Sequence, residues 1–166
     1  MFELKPISKD AIPSALEKAE RLRLLNEPRE AESVCLDVLA IEPTNQQALV
    51  TLLLALSDQF EREIGPAMHR AREIVPKIED DYSRLYYEGI LFERAAKARL
   101  RKPGPRAHFI AYEWLMAAME RFEEAAAIRP HGNDEAILRW NSCVRLLEAN
   151  PALAAEAEEP ASHMLE

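Results

Sequence analysis

Glycine is scarce in this sequence, whereas proline is plentiful. Only four glycines are present in 166 residues, against eleven prolines. Most of the prolines lie where one stretch of helical periodicity ends and the next begins, which favours many helices with short connections and leaves little room for strands. The glycines are too far apart to form a phosphate-binding loop. The sequence therefore predicts an all-α protein.

Cysteine and histidine are also few, and their spacing matches no metal site. Cys35 and Cys143 both lie inside apolar helical patterns, which favours buried thiols over a disulfide. Two cysteines are too few for a cysteine zinc site, and the four histidines show neither a His-Glu-x-x-His nor a Glu-x-x-His spacing. We therefore predict no metal, no cofactor, no catalytic residue and no enzymatic activity.

Long apolar runs are missing as well. The longest, from Ala48 to Leu56, is interrupted by Thr51 and is too short to span a bilayer, and the first residues lack a run of signal-peptide length. The net charge of -8 argues against nucleic-acid binding through the whole surface. These features predict a cytoplasmic protein that does not insert into membranes and for which nucleic acid is an unlikely partner.

What the sequence does contain is one spacing of small and apolar residues that recurs three times. The second residue follows the first after four positions and the third follows after three more. The three copies are Ala31, Cys35 and Val38 before Pro43, then Ala118, Phe122 and Ala125 before Pro130, and a weaker copy, Ala67, Ala71 and Ile74, without a proline at the matching place. Such registered recurrence predicts stacked helical hairpins.

Helical periodicity covers most of the chain. The predicted helices cover about residues 10–25, 28–42, 45–62, 66–75, 80–101, 105–128 and 133–149. Thr44 and Gln47 have the form of a capping box for the third helix, and Asn133 or Asp134 can cap the last. We expect an extended lead-in over residues 1–9, one helical domain over 10–150, and an acidic, largely disordered tail over 151–166.

The unit from about Ile12 to Asn45 resembles the tetratricopeptide repeat, a 34-residue pair of antiparallel helices. Ala19 and Leu22 lie on its first helix, and the first copy of the recurring spacing lies on its second. Two further units, about 46–76 and 81–130, and a final helix that resembles a solvating cap complete the match. The resemblance implies a right-handed stack of about seven helices, an α-solenoid.

The resemblance also implies a function, because the first helices of such hairpins line a concave groove that holds a peptide. Here the groove would be built from the helices at 45–62, 80–101 and 133–149. The residues placed on it are Gln47, Asp58, Tyr86, Glu93, Arg94, Asn141 and Arg145. We therefore expect a non-enzymatic module that binds a peptide or protein segment through pre-organised aromatic and arginine anchors.

A basic stretch over residues 94–106 offers an alternative. It contains no acidic residue and could form a positive tip between the two long helices. The cations assigned to this tip are Lys97, Arg99, Arg101, Lys102 and Arg106. An acidic partner, RNA or the glutamate-rich tail of the chain could dock there, although a solvated helix end explains the same pattern.

Self-assembly through the long hairpin at 80–128 is a further alternative. Trp114, Met116, Met119 and Phe122 have the spacing of a packed helix face. If the extra turns of the hairpin project beyond the stack, some of these side chains would be uncovered and could form a homodimer interface.

Overall fold

The structure is a computed structural model that describes residues 1–102 and 104–158, and these residues form helices without any strand. Its eight α-helices are α1 (Ile12–Leu24), α2 (Pro28–Ile41), α3 (Gln46–Ser57), α4 (Phe60–Ile74), α5 (Asp81–Arg101), α6 (Ala107–Ala127), α7 (Glu135–Ala149) and α8 (Pro151–Glu158). Short 3-10 turns lie at Lys9–Ala11 and Val75–Lys77. The all-α prediction is confirmed, whereas the right-handed solenoid stays a prediction.

The helices divide into two compact units, one over Met1–Asp80 and one that begins at Asp81. In the first unit each helix packs on the next, and α1 also contacts α3. In the second unit α5 packs along α6, and α6 also contacts α7 and α8. Because the connections between them are short, helices that follow each other in the chain and pack together form hairpins. The hairpin character of both units is the part of the fold that positions the site described below.

Prolines begin helices in the first unit. Pro13 and Pro28 lie in the first turns of α1 and α2, where a missing N–H breaks no helical hydrogen bond. In α4 the backbone is non-helical at Glu63 (φ -150°, ψ 68°), so the helix restarts and Pro66 also falls in a first turn. The predicted break at Gly65 is therefore corrected to Glu63, and the single predicted helix over 45–62 is corrected to α3 and the start of α4.

The start of α3 is capped by Asn45 instead of Thr44. The Asn45 side-chain oxygen accepts a hydrogen bond from the Ala48 backbone N–H at 2.9 Å. Gln47 does not complete a capping box, because its amide donates to Glu20 at 3.1 Å. The predicted cap was thus one residue early, and both residue types are good caps, so composition alone does not separate them.

The recurring spacing marks buried positions in all three copies. Ala31, Cys35, Val38, Ala67, Ala71, Ile74, Ala118, Phe122 and Ala125 are all buried. Of the four side chains proposed for a packed or sticky face of α6, Phe122 is fully buried, Trp114 and Met119 are half-buried and Met116 is exposed. The packed-face interpretation therefore holds for most of that helix.

The long hairpin depends on a glycine. A Cβ atom at Gly89 of α5 would lie 2.6 Å from Cε1 of Phe122 on α6. Because Phe122 is fully buried, its ring has little room to give way. The absence of a side chain at Gly89 is therefore what lets the two helices pack around this ring.

The chain after Asn150 continues as a helix. Pro151–Glu158 forms α8, and Leu153 is buried where α8 packs on α6 and α7. The prediction of a largely disordered tail is corrected for this segment, because a buried apolar side chain two residues after Pro151 anchors it. The rest of the predicted tail, residues 159–166, lies outside the described residues.

Candidate partner-binding site

A row of tyrosines lies along the first half of α5. The rings of Tyr82 and Tyr86 stack with centroids 5.8 Å apart, and Tyr87 meets Tyr86 edge-on at 5.1 Å. The Tyr86 ring also lies beside the buried Phe122 ring, with centroids 6.1 Å apart. The Tyr82 hydroxyl donates a hydrogen bond to the Asn133 side-chain oxygen at 3.2 Å. The half-buried Tyr86 is thus held on several sides, as a rigid aromatic anchor requires.

Two turns further along α5, Glu93 is fully buried. Its Oε1 atom accepts from Lys97, one turn later on the same helix, and its Oε2 atom lies 3.6 Å from Nη1 of Arg139 on α7. That distance is too long for a hydrogen bond, and Oε2 has no hydrogen-bond partner in the described residues. A buried carboxylate is stable only beside opposite charge, so Glu93 and the two cations form one unit.

Arg139 links this carboxylate to the tyrosine row. Burial by itself lowers the pKa of Arg139, but a side-chain hydrogen bond with Tyr86 and the charge of Glu93 outweigh it and raise the pKa above its ordinary value. The guanidinium therefore stays charged. We call Tyr86, Glu93, Lys97 and Arg139 the Arg139 cluster; it joins α5 and α7 within the second unit.

Cys143, one turn after Arg139 on α7, is buried beside the cluster. Burial raises the pKa of its thiol from 9.0 to about 12, and the charge of Glu93 adds to the shift. In the first unit, burial raises the pKa of Cys35 from 9.0 to about 11 against the lowering effect of Arg23. Both cysteines are free and buried, as expected, and raised pKa values make their thiols poor nucleophiles.

The structure places the predicted groove residues of the second unit in different surroundings. Tyr86 belongs to the cluster and Arg94 is half-buried on α5. Glu93 is completely buried, which corrects its placement on a partner-facing surface. Asn141 is half-buried and Arg145 exposed. Asn141 and Arg145 share a face of α7. Asn141 is two residues after Arg139, a rotation of about 200 degrees, so the two side chains leave the helix on different faces.

The two groove residues predicted in the first unit lie near opposite ends of α3. Gln47 is exposed and donates to Glu20 of α1. Asp58 accepts two hydrogen bonds from Arg23 of α1, at 2.8 and 3.3 Å. Each therefore ties α3 to α1, and the structure does not bring the two side chains together.

The basic tip is partly occupied by contacts within the chain. Arg99 donates to the Pro105 carbonyl at 3.2 Å, and the Arg106 guanidinium lies 4.6 Å from the centroid of the Phe109 ring. Arg101 and Lys102 are exposed at the end of α5. Lys97 points to Glu93 and so belongs to the Arg139 cluster, which corrects its assignment to the tip.

Arg139 is the site residue that the sequence did not single out. The signal for it was present, since Ala136 and Cys143, at three residues before and four after, are small residues of a packed face and are buried. Arg139 lies between them on that face, so its long side chain starts at the packed side of the helix and needs a polar partner there. Its partner Glu93 could not be found in this way, because charge patterns assign carboxylates to the surface.

Comparisons with known proteins add no relative. No family model and no curated protein match the sequence, and no solved structure matches the chain. In the described residues no three His, Cys, Asp or Glu side chains gather in a metal-binding arrangement. None of the described helices is both long and apolar enough to cross a membrane.

Proposed function

We propose that this protein is a non-enzymatic interaction module that binds a protein or peptide segment at the Arg139 cluster. The observation that carries the proposal is the buried Glu93 beneath two cations that reach the surface. An apolar residue at this position would fill the same core without a desolvation cost. The carboxylate instead holds Lys97 and Arg139 on either side of it, and Arg139 also reaches Tyr86.

The mechanism is pre-organised complementarity. Aromatic and guanidinium groups are frequent anchors of binding sites, because they gain much on desolvation and lose little freedom when they are already held. Tyr86 is held by its stacked neighbours, and Arg139 by Tyr86 and the charge of Glu93. Binding would therefore spend little free energy on ordering these side chains.

The resemblance to tetratricopeptide repeats remains a hypothesis that agrees with this proposal. It is supported by the recurring buried spacing and by the consecutive packing of helices in the first unit. We also propose a cytoplasmic location, because the two buried cysteines are unpaired and such thiols are typical of reducing compartments.

The proposal can be tested with a displayed library of random 16-residue peptides selected on the immobilised protein. Selected peptides are then measured against Arg139→Gln and against Arg145→Gln, a matched substitution about 120 degrees away around α7. We expect the first variant and Tyr86→Ala to weaken binding at least about tenfold, and the second to leave it within about twofold. Equal affinities for all variants, at unchanged helicity, would remove the site from the proposal.

Self-assembly through the α5–α6 hairpin is the second candidate function. It is favoured by Met116, which is 43% exposed on α6, because methionine is common on adaptable association surfaces. Light scattering over a hundredfold concentration range separates the two candidates. A dimer that Met116→Lys dissociates would support assembly, whereas a monomer at the highest concentration would exclude it.

A further inference from the structure

We infer, on the basis of the proposed function, that the segment bound at the Arg139 cluster presents an acidic side chain, whose carboxylate is taken by Arg139 and Lys97. Glu93 is then a positioning residue, which orders the two cations from below without touching the ligand.

The charges of the cluster do not balance at the surface. Lys97 and Arg139 carry two positive charges, and their side chains are 34% and 37% exposed. Of the described residues, Glu93 is the anion that both cations contact, and it has no exposed surface. Glu135, one turn before Arg139 on α7, is exposed and adds negative charge only at longer range. A ligand approaching the cluster therefore meets cations first.

The geometry leaves Arg139 able to accept a second carboxylate. The 3.6 Å separation from Glu93 means that no hydrogen bond to that residue has to break. A guanidinium has five N–H donors in a planar fork. Arg139 uses part of this fork for its side-chain hydrogen bond with Tyr86. The remaining fork matches a carboxylate in a bidentate pair, the strongest common form of such contacts.

The two cations are also close enough to share one ligand. Lys97 contacts one oxygen of the Glu93 carboxylate, and Arg139 lies beside the other. The two cations are therefore separated by the width of one carboxylate group. A ligand carboxylate of the same size can bridge them from the solvent side. Tyr86 beside Arg139 offers a ring against which the aliphatic or aromatic part of the neighbouring residue packs.

The test uses the peptides selected from the random library, resynthesised with amidated and with free C-termini. In each peptide every Asp and Glu is replaced in turn by Asn or Gln. We expect one such replacement to weaken binding about tenfold or more in both terminal forms, and to have no further effect when the protein carries Arg139→Gln. Dependence on the free C-terminus alone would instead assign the site to a chain-terminal carboxylate and overturn the inference.

The outcomes separate this inference from the proposed function. Peptides that need Tyr86 and Arg139 but contain no required acidic residue would overturn the inference and leave the proposed function standing. Peptides that bind all variants equally would overturn both.

The positioning role of Glu93 has its own readout. Glu93→Gln keeps the shape of the side chain but removes its charge, so the surface becomes more positive while the cations lose their fixed orientation. We expect faster association and faster dissociation of the same acidic peptide. The association rate rises with the positive charge of the surface, whereas the dissociation rate depends on how well the contacts in the complex are oriented. An unchanged dissociation rate in a folded Glu93→Gln variant would contradict the positioning role.

Discussion

The two units of this protein use charge in different ways. In the first unit, ion pairs tie helices together at partly exposed positions, as Arg23 does to Asp58 at 2.8 Å and Arg29 to Glu63 at 3.3 Å. In the second unit, a carboxylate with no exposed surface lies between two cations. Exposed pairs add little to stability, and a buried charge costs desolvation. The first arrangement is explained by helix packing, whereas the second calls for a functional explanation.

The units also fill the same recurring spacing with different volumes. Cys35 and Phe122 occupy the second place of their copies, and both are fully buried. The larger ring is accommodated because the facing helix has Gly89. One spacing can therefore hold buried side chains of different volume, provided that the neighbouring helix compensates.

The largest expected effect sharpens the comparison of Phe122 with Cys35. Phe122→Ala should lower the free energy of unfolding by about 3–5 kcal/mol, because it leaves a large cavity between α5 and α6. Cys35→Ala removes one atom and should cost about 1 kcal/mol. Urea denaturation measures both. Similar losses would mean that Phe122 is less tightly packed than its burial indicates.

The next effect concerns the two kinds of charge. Glu93→Ala should destabilise the protein by about 2–3 kcal/mol, because Lys97 and Arg139 lose their common counter-charge and a cavity is left. Asp58→Ala should cost less than about 1 kcal/mol, since Arg23 returns to water. Denaturation of the two variants under the same buffer tests this. A larger loss at Asp58 would reverse the contrast between the units.

A smaller effect compares one substitution in both units. Gly89→Ala should destabilise by about 1 kcal/mol, since overpacking against Phe122 outweighs the gain in helix propensity. Gly65→Ala meets nothing within 4 Å and should stabilise by up to about 1 kcal/mol. Thermal melts of both variants decide the matter. The account of the hairpin fails if Gly89→Ala is the more stable of the two.

The smallest effect is a pH dependence. An acidic group whose pKa is raised by folding contributes stability below its unfolded pKa and loses it as pH rises toward the folded value. For Cys143 this window runs from 9.0 to about 12. Between pH 8 and 10 the wild type should therefore lose about 1 kcal/mol more stability than Cys143→Ala. Parallel pH profiles of the two proteins would show that this thiol does not contribute.

Much of the fold follows from the sequence, because the helical periodicity of apolar residues and the positions of the prolines are local signals of where helices lie and end. The long helices α5 and α6 were predicted to within two residues, and all nine positions of the recurring spacing are buried. The errors arose where two local signals compete. Thr44 and Asn45 are both good caps, and Pro66 is a helix breaker that becomes a first-turn residue once Glu63 leaves the helical conformation.

The site was less accessible to prediction, because it depends on which faces of α5 and α7 meet. Tyr86 was predicted as an aromatic anchor, and its ring packs against those of Tyr82 and Tyr87 on α5. Glu93 was placed on the surface because carboxylates are usually exposed, and its burial results from cations supplied by two helices. On α7 the prediction named Asn141 and Arg145, whereas the side chain that reaches Glu93 is that of Arg139. The packing of α7 against its neighbours decides which of these positions faces α5, and the periodicity of the sequence does not show that packing.

The most direct test of the central claim is an amide NMR titration of the labelled protein with a peptide selected from the random library. The account predicts that resonances change on α5 between Tyr86 and Lys97 and on α7 around Arg139, and that Arg139→Gln abolishes these changes while Arg145→Gln preserves them. Changes confined to the α5–α6 turn near Arg101 and Lys102, or to the first unit around Asp58, would contradict the account and place partner binding elsewhere.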